Sequence, residues 1–320
     1  YHGHLRSQFS AAARTGAGAP RTSVRWRGVA CYASRLCILA DLLLSSDPTP
    51  ASISAGTFHT CATNSDALLV CFGGNIGGAC EVPPDLGPVV AVSAAAYHTC
   101  AVRIDGQLIC FGSDDYGRCD VPEDLGPVSA VSTNMYHTCA VRRDGRLVCF
   151  GGQRPGQSEV PWDLGPVLSV SAGVYHTCAV RFDGQLICFG SEEHCQCEVP
   201  AGLGPVLAVS VGTHHTCAVR ADGELVCFGA TDHGRCDVPP DLGPVLAVSA
   251  GAYHTCAVRT DLHLVCFGTN DDSQCDVPPD LGPVVAVSAG VRHTCAVTTA
   301  GQLVCFGSES YGRCDVPSEL

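Results

Sequence analysis

Short apolar segments alternate with turn-forming residues along most of the chain. From Gly87, for example, the sequence contains PVVAVS, HTCAV, QLICF and RCDVP, each bounded by Gly, Pro or Asp-Gly, and no stripe of apolar residues at helical spacing. Segments of this length that are rich in β-branched and aromatic residues predict short strands. The pattern therefore predicts an all-β fold with four strands in this stretch.

The same pattern repeats every 39 residues. The tripeptide His-Thr-Cys begins at His59, His98, His137, His176, His215, His254 and His293. Seven units then cover residues 48–320: 48–86, 87–125, 126–164, 165–203, 204–242, 243–281 and 282–320. Four strands in roughly 40 residues are typical of a propeller blade, and a closed ring leaves no free sheet edges. We predict a seven-bladed β-propeller; the alternative is an open β-solenoid, whose repeats are usually shorter.

Two cysteines in each unit are predicted to face each other across a hairpin. In unit 2, a loop that ends at Gly106 places Cys100 opposite Cys110 as a non-hydrogen-bonded pair, with Cα atoms roughly 4.5 Å apart, within reach of a disulfide. The equivalent pairs are Cys61 and Cys71, Cys139 and Cys149, Cys178 and Cys188, Cys217 and Cys227, Cys256 and Cys266, and Cys295 and Cys305. Seven disulfides indicate an oxidising compartment; the alternative is a reducing compartment in which these cysteines act as small apolar residues.

Catalysis and metal binding have little support in this pattern. His98, Cys100 and Cys110 are residue types that zinc accepts, but seven identical zinc sites around one ring would be unusual, and a buried, hydrogen-bonded histidine is the simpler interpretation. No nucleophile elbow, phosphate loop or pair of catalytic carboxylates is found. We predict no metal, no other cofactor and no enzymatic activity.

The distribution of charged residues along the chain predicts which kind of partner the protein binds. Residues 1–50 carry six Arg against Asp41 and Asp47, whereas residues 51–320 carry 12 Arg against 29 acids. So acidic a body should repel phosphate backbones, and we expect no nucleic-acid binding but a partner protein with a basic surface. The longest apolar stretch, around Cys31 to Leu44, is too short and too charged for a membrane span of roughly 20 residues.

Several repeated motifs resemble those of the regulator-of-chromosome-condensation family. Val248 to Val258 has the form Val-x-x-Gly-x-x-His-Thr-x-Ala-Val, and Cys305-Phe306-Gly307 is followed by Gly312-Arg313. The resemblance covers residues 48–320 and implies a seven-bladed propeller. Phe stands in every unit where the family usually has Trp, and no unit carries the loop insertions on which the nucleotide-exchange members depend. The compact unit with its closing Val-Pro is most similar to the secreted β-lactamase-inhibitory branch.

A binding face is expected where the units differ from one another. With positions counted from 1 to 39 in each unit, position 11 holds Phe58, Tyr97, Tyr136, Tyr175, His214, Tyr253 and Arg292. Position 29 holds the acids Asp115, Glu193, Asp232 and Asp271. In the inhibitory branch that this chain resembles, the corresponding loops hold the partner. The resemblance implies that the position 11 side chains form a circle around the propeller axis, with the position 29 acids outside that circle. The alternative is that position 11 is half-buried packing.

Residues 1–47 form a separate basic segment. They contain all six arginines of residues 1–50 and resemble a targeting segment or a disordered extension. The predicted function of residues 48–320 is non-enzymatic binding of another protein through one face. The alternatives are a regulatory propeller of a larger enzyme, either a small-GTPase exchange factor or a HECT-type ubiquitin ligase, and a structural subunit of a large assembly.

Overall fold

The computed structural model describes residues 52–152 and 156–320. These residues form seven three-stranded antiparallel sheets, one from each unit, with the strands in chain order. The predicted all-β, seven-bladed propeller is confirmed, and each blade corresponds to one unit. The boundary predicted between residues 1–47 and the propeller lies outside the described residues.

The strand bounds repeat from unit to unit. They are β1 Ile53–Ala55, β2 His59–Thr63 and β3 Leu69–Gly73; β4 Val89–Ala94, β5 His98–Arg103 and β6 Leu108–Gly112; β7 Val128–Thr133, β8 His137–Arg142 and β9 Leu147–Gly151; β10 Val167–Ala172, β11 His176–Arg181 and β12 Leu186–Gly190; β13 Val206–Val211, β14 His215–Arg220 and β15 Leu225–Gly229; β16 Val245–Ala250, β17 His254–Arg259 and β18 Leu264–Gly268; β19 Val284–Ala289, β20 His293–Thr298 and β21 Leu303–Gly307. Short 3₁₀ turns follow the third strand at Ile76–Gly78, Asp115–Gly117, Asp232–Gly234 and Ser310–Gly312.

The antiparallel order gives each blade two distinct ends. At the upper end the first strand passes to the middle strand through positions 9–11, and the third strand runs into positions 27–30. At the lower end, positions 18–21 form the hairpin loop between the middle and third strands, and positions 37–38 lead into the next unit. Because a six-residue strand spans roughly 20 Å, the two ends present separate surfaces.

Among the described residues, no unit forms the fourth predicted strand. In unit 2 the N–H of Val121 donates to the carbonyl of Cys119 over 2.8 Å, and the N–H of Leu125 donates to Pro122 over 3.0 Å. Pro122 has no N–H to give to a sheet. Local turns therefore use the hydrogen bonds that a fourth ladder would need, although Val121 still packs against the apolar core.

Apolar side chains fill the spaces between neighbouring blades. Leu69 of unit 1 shares a cluster with Val89 of unit 2, and Val297 of unit 7 shares one with Ala62 of unit 1. The last blade thus packs against the first as each blade packs against the next. The ring is closed, and the solenoid alternative is wrong.

A serine at position 7 adds a polar link at every blade interface. Ser54 Oγ accepts the backbone N–H of Ala94 in the next unit over 2.8 Å. Ser288 Oγ accepts the N–H of Ala55 over 2.9 Å and so joins unit 7 to unit 1. These bonds hold neighbouring inner strands together where no backbone ladder connects them.

The histidine of each His-Thr-Cys motif is fully buried and bridges two blades. His59 Nε2 lies 2.8 Å from Thr99 Oγ1 of the next unit, and Thr99 Oγ1 donates to the carbonyl of Ala79 over 2.8 Å. Because the hydroxyl hydrogen is used on that carbonyl, the imidazole must be the donor, with its proton on Nε2. Burial lowers the pKa of His59 to about 4. The ring is therefore neutral at physiological pH, as the buried-histidine interpretation requires.

The hairpin cysteines have the predicted register in every unit. Cys100 faces Cys110, with Cα atoms 4.1 Å apart in a disulfide. Five further pairs are bonded in the same way: Cys61–Cys71, Cys139–Cys149, Cys178–Cys188, Cys256–Cys266 and Cys295–Cys305. Cys217 and Cys227 face each other in the same register, but no disulfide joins them in the structure. The structure thus forms six of the seven predicted disulfides, and the strand register does not distinguish the remaining pair.

A third cysteine closes the loop after the third strand. Cys119 Sγ donates to the carbonyl of Ser113 over 3.6 Å, and burial, the largest cause, raises its pKa to about 12. Unit 3 has Ser158 at this position, and its hydroxyl donates to the carbonyl of Gly151 over 2.9 Å. The exchange of Cys for Ser indicates that this position serves as a local hydrogen-bond donor.

Candidate protein-binding face

The seven side chains at position 11 lie at the upper end of the blades, each directly before a buried histidine. Phe58, Tyr97, Tyr136, Tyr175 and His214 are half-buried, whereas Tyr253 and Arg292 are exposed. Neighbouring members touch: the Phe58 and Tyr97 rings are 5.8 Å apart between centroids, and Tyr175 stacks on His214 at 4.9 Å. The partial exposure of these side chains is therefore compatible with both predictions for position 11, namely contact with a partner protein and packing within the propeller.

A second set of side chains, at position 30, packs against this ring from outside. In the four units where position 30 is Tyr or His, its ring contacts the position 11 ring of the following unit. The ring-centroid distances are 6.0 Å for Tyr116 and Tyr136, 4.4 Å for His194 and His214, 6.1 Å for His233 and Tyr253, and 5.3 Å for Tyr311 and Phe58. Position 30 of unit 6 is Asp272, which forms an ion pair with Arg292 at 3.0 Å. We call the position 11 and position 30 side chains together the aromatic face.

Buried arginines support part of the aromatic face from below. Arg118 is 2% exposed, and its guanidinium lies 5.4 Å from the centroid of the Tyr97 ring. It donates to the carbonyl of Met135 over 2.7 Å. Arg235 lies 5.2 Å from the Tyr253 ring, and Arg313 lies 5.5 Å from the Tyr311 ring. Cations stacked on aromatic faces are attracted to them, so these arginines fix the orientation of the rings.

Sequence reasoning missed the roles of position 30 and of these arginines. The signals were present, because position 30 varies between units and Arg118, Arg235 and Arg313 follow a glycine in three units only. What the repeat pattern could not show is that position 30 of one unit contacts position 11 of the next.

The four predicted acids at position 29 surround the aromatic face but differ in their partners. Asp115 forms an ion pair with Arg118 at 2.9 Å, and Asp232 lies 3.9 Å from Arg235. Glu193 and Asp271 are exposed and form no ion pair with any residue that the structure describes. Of these four acids, only Glu193 and Asp271 therefore carry a negative charge that no described ion pair offsets.

One histidine of the aromatic face has a lowered pKa, and no group of possible metal ligands lies among the described residues. Burial, the largest cause, lowers the pKa of His214 to about 4, with His194 the next cause, so this imidazole is neutral at physiological pH. Among residues 52–152 and 156–320, no three His, Cys, Asp or Glu side chains converge in a way that could hold a metal ion. His98 and Cys100, weighed above as zinc ligands, are engaged with Thr138 and Cys110 instead.

The family model for the regulator of chromosome condensation (RCC1) repeat matches residues 89–118, 128–157, 167–196, 206–235, 245–274 and 284–313, more than half of the chain. The chain belongs to the RCC1 repeat family. Each matched segment begins at the first strand and ends at position 32, so the RCC1 repeat includes positions 11, 29 and 30. No curated protein matches the chain in sequence.

Solved structures with the same fold include proteins from plants and yeast. The receptor kinase CR4 ectodomain of Physcomitrella patens is 22% identical, with a TM-score of 0.68, over 80% of this chain and 73% of that one. The ACR4 ectodomain of Arabidopsis thaliana is 23% identical, with a TM-score of 0.67, over 81% and 98%. Prp20p of Saccharomyces cerevisiae is 18% identical, with a TM-score of 0.65, over 87% and 85%. At these identities the likeness establishes the RCC1-type propeller fold alone.

Proposed function

We propose that this chain is a non-enzymatic RCC1-repeat propeller that binds another protein through its aromatic face. The observation that carries the proposal is the contact of a position 30 side chain with position 11 of the next unit at five blade junctions, as between Tyr116 and Tyr136 at 6.0 Å. These contacts join side chains from separate units into one surface. Aromatic side chains that are held in place and partly exposed are common anchors of protein interfaces.

The partner that fits this surface carries a basic patch with apolar or aromatic groups. Glu193 and Asp271 supply unpaired negative charge at the rim, and charge of this kind accelerates encounter with a cationic protein. The negative charge of the body disfavours nucleic acid. Within the described residues, no helix is long and apolar enough to cross a membrane.

An oxidising compartment fits this proposal better than a reducing one. Six hairpin disulfides are formed in the structure, as between Cys61 and Cys71, and disulfides persist in secreted proteins and organelle lumens. The two plant neighbours are ectodomains of receptor kinases. The resemblance to the β-lactamase-inhibitory branch is consistent with secretion and stays a prediction.

The proposal is tested by comparing partners captured from non-reduced native material by the intact chain and by a variant with Tyr136→Ala and Tyr175→Ala. A protein that the intact chain retains and the double variant loses, at equal amounts of folded bait, supports binding through the aromatic face. Equal recovery with both baits contradicts it. Accelerated nucleotide release from a panel of small GTPases would favour the exchange-factor alternative.

A further inference from the structure

A second surface lies at the lower end of units 3 and 4, across the blades from the aromatic face. Trp162 is 96% exposed and Phe182 is 62% exposed. Exposed apolar side chains that lie together mark candidate binding surfaces. No other unit has an aromatic side chain at either repeat position, since unit 2 has Ile104 and unit 5 has Ala221 at the position of Phe182, so the fold itself does not require aromatic side chains there.

Packing connects these two side chains through the hairpin loop of unit 3. A Cβ atom added to Gly145 in that loop would lie 2.9 Å from the Phe182 ring and 2.9 Å from Pro166. Trp162, Pro166 and Arg146 line one hollow beside the loop, of about 480 Å³, together with Asp144, Leu147 and Val160. The surface is thus a shallow hollow of mixed polar and apolar lining, with Trp162 at its wall and Phe182 packed against the neighbouring loop.

Charge distinguishes this place from the equivalent places in the other units. At positions 17–21 and 37–38, unit 3 carries Arg142, Arg143 and Arg146 against Asp144 and Asp163. In the other six units, acids equal or outnumber arginines at these positions. Arg142 is paired with Asp144 at 3.2 Å, whereas Arg143 and Arg146 are exposed and have no carboxylate partner among the described residues. We call Arg143, Arg146, Trp162 and Phe182 the cationic patch.

We propose that the cationic patch is a second docking site, which binds an acidic protein segment that carries an apolar or aromatic side chain. The two unpaired arginines match carboxylates in charge, and guanidinium groups pair with them in a bidentate manner. The hollow beside Trp162 takes the apolar group. Arginine and exposed aromatics can also bind single-stranded nucleic acid, but the excess of 17 acids over arginines in residues 51–320 opposes a polyphosphate.

This site has its own fluorescent reporter. The chain contains two tryptophans, Trp26 and Trp162, so Trp26→Phe in the full chain leaves Trp162 as the single tryptophan. The probe is a random copolymer of glutamate and tyrosine, titrated at low salt. We expect saturable binding with a blue shift of Trp162 emission as the indole leaves water.

Substitutions taken from other units of the same chain test the patch without disturbing the fold. Arg143→Thr with Arg146→Gln, which copies Thr260 and Gln107, should weaken copolymer binding about tenfold or more. The control, Arg220→Thr with Arg259→Thr, changes the net charge equally at the same end of units 5 and 6 and should have little effect. Trp162→Ala should weaken binding similarly when binding is followed by calorimetry.

The results of these binding experiments distinguish specific binding at the cationic patch from bulk electrostatic attraction and from nucleic-acid binding. No copolymer binding, or equal loss in the patch variant and the control pair, overturns the proposal, because the latter shows only bulk attraction. Tighter binding of an oligothymidylate than of the copolymer also overturns it in favour of nucleic acid. Tyr136→Ala on the aromatic face should leave copolymer binding unchanged, so failure of the cationic patch and failure of the proposed function are distinguishable.

Discussion

His293 donates its Nε2 hydrogen to the hydroxyl of Thr60 over 2.9 Å, although Thr60 lies 233 residues earlier in the chain. Thr60 in turn donates to the carbonyl of Arg313 over 3.0 Å. The same relay connects His59 with Thr99 and Ala79 between units 1 and 2. The junction between the last and first blades therefore uses the bonds that join the other blades, and each relay is a testable element of stability.

Removing one threonine hydroxyl should destabilise the ring. Thr99→Val leaves both the Nε2–H of His59 and the carbonyl of Ala79 without partners in a buried site. We expect the free energy of unfolding to fall by about 1–3 kcal/mol for each unsatisfied group, as measured by urea denaturation. Thr99→Ser keeps the hydroxyl and serves as the matched control. Equal stability of the Val and Ser variants would contradict the relay.

Stability should fall steeply in acid because the relay histidines are buried in the neutral form. Burial, alone or as the largest cause, lowers the pKa to about 3 for His98, His176, His254 and His293 and to about 4 for His59 and His137. The unfolded chain takes up protons on these imidazoles near pH 6.5, so stability is fully present above that pH. As pH falls from 6.5 towards 4, each histidine should remove about 1.4 kcal/mol per pH unit.

Urea unfolding at a series of pH values measures this slope. His98→Gln, which keeps a side-chain donor for Thr138, should flatten the slope by about one proton. Constant stability between pH 7 and pH 5 would show that the relay histidines are not buried in the neutral form.

Substitution of two tyrosines of the aromatic face distinguishes partner binding from internal packing as the role of these rings. Tyr136→Ala and Tyr175→Ala should each weaken binding of the captured partner by about 1–3 kcal/mol, mainly by raising the off-rate, if these rings are anchors. The packing alternative predicts a lower melting temperature and unchanged affinity per folded molecule. Melting and binding kinetics measured on the same variants distinguish the two. Full affinity in a stable double variant would eliminate the aromatic face.

The unpaired acids should control association kinetics. Glu193→Gln and Asp271→Asn should slow association with a basic partner at low salt and leave melting unchanged, because neither carboxylate holds another described residue in an ion pair. Asp115→Asn should also lower the melting temperature, since Asp115 neutralises the buried Arg118. Stopped-flow association at two salt concentrations measures the first effect. On-rates insensitive to both changes would exclude electrostatic steering by this rim.

Peptide mapping of non-reduced protein should find the hairpin cysteines paired and the third cysteines free. Each disulfide closes a short loop and should stabilise the fold by roughly 2–3 kcal/mol. The third cysteines should resist alkylation until unfolding, because burial raises the pKa of Cys80 to about 11 and is the largest cause that raises that of Cys197 to about 12. Cys195 is exposed and should react first among the described thiols. Free thiols at Cys100 and Cys110 in native material would contradict the disulfides.

The repeat made the architecture predictable but not the contacts between units. A fixed period and a hairpin with Gly106 at its turn determine strand register, because the side chains of a strand alternate strictly, and Cys100 faces Cys110 as predicted. The fourth strand was predicted wrongly because apolar character does not reveal that Pro122 lacks the donor a ladder needs. The contact of Tyr116 with Tyr136 depends on how neighbouring blades are placed side by side, which comparison of repeats alone cannot give.

The last and first blades are joined by the same side-chain contacts that join the other neighbouring blades, so the seven blades form a continuous ring. Ser288 and Ala55 meet across the junction of the last and first blades as Ser54 and Ala94 meet one blade later, and no strand is exchanged between units. No blade is required by geometry to come first. A gene reordered to begin at Gly126 or Gly243, with residue 320 joined to residue 52 by a short linker, should encode a chain that folds to the same ring and carries both surfaces unchanged.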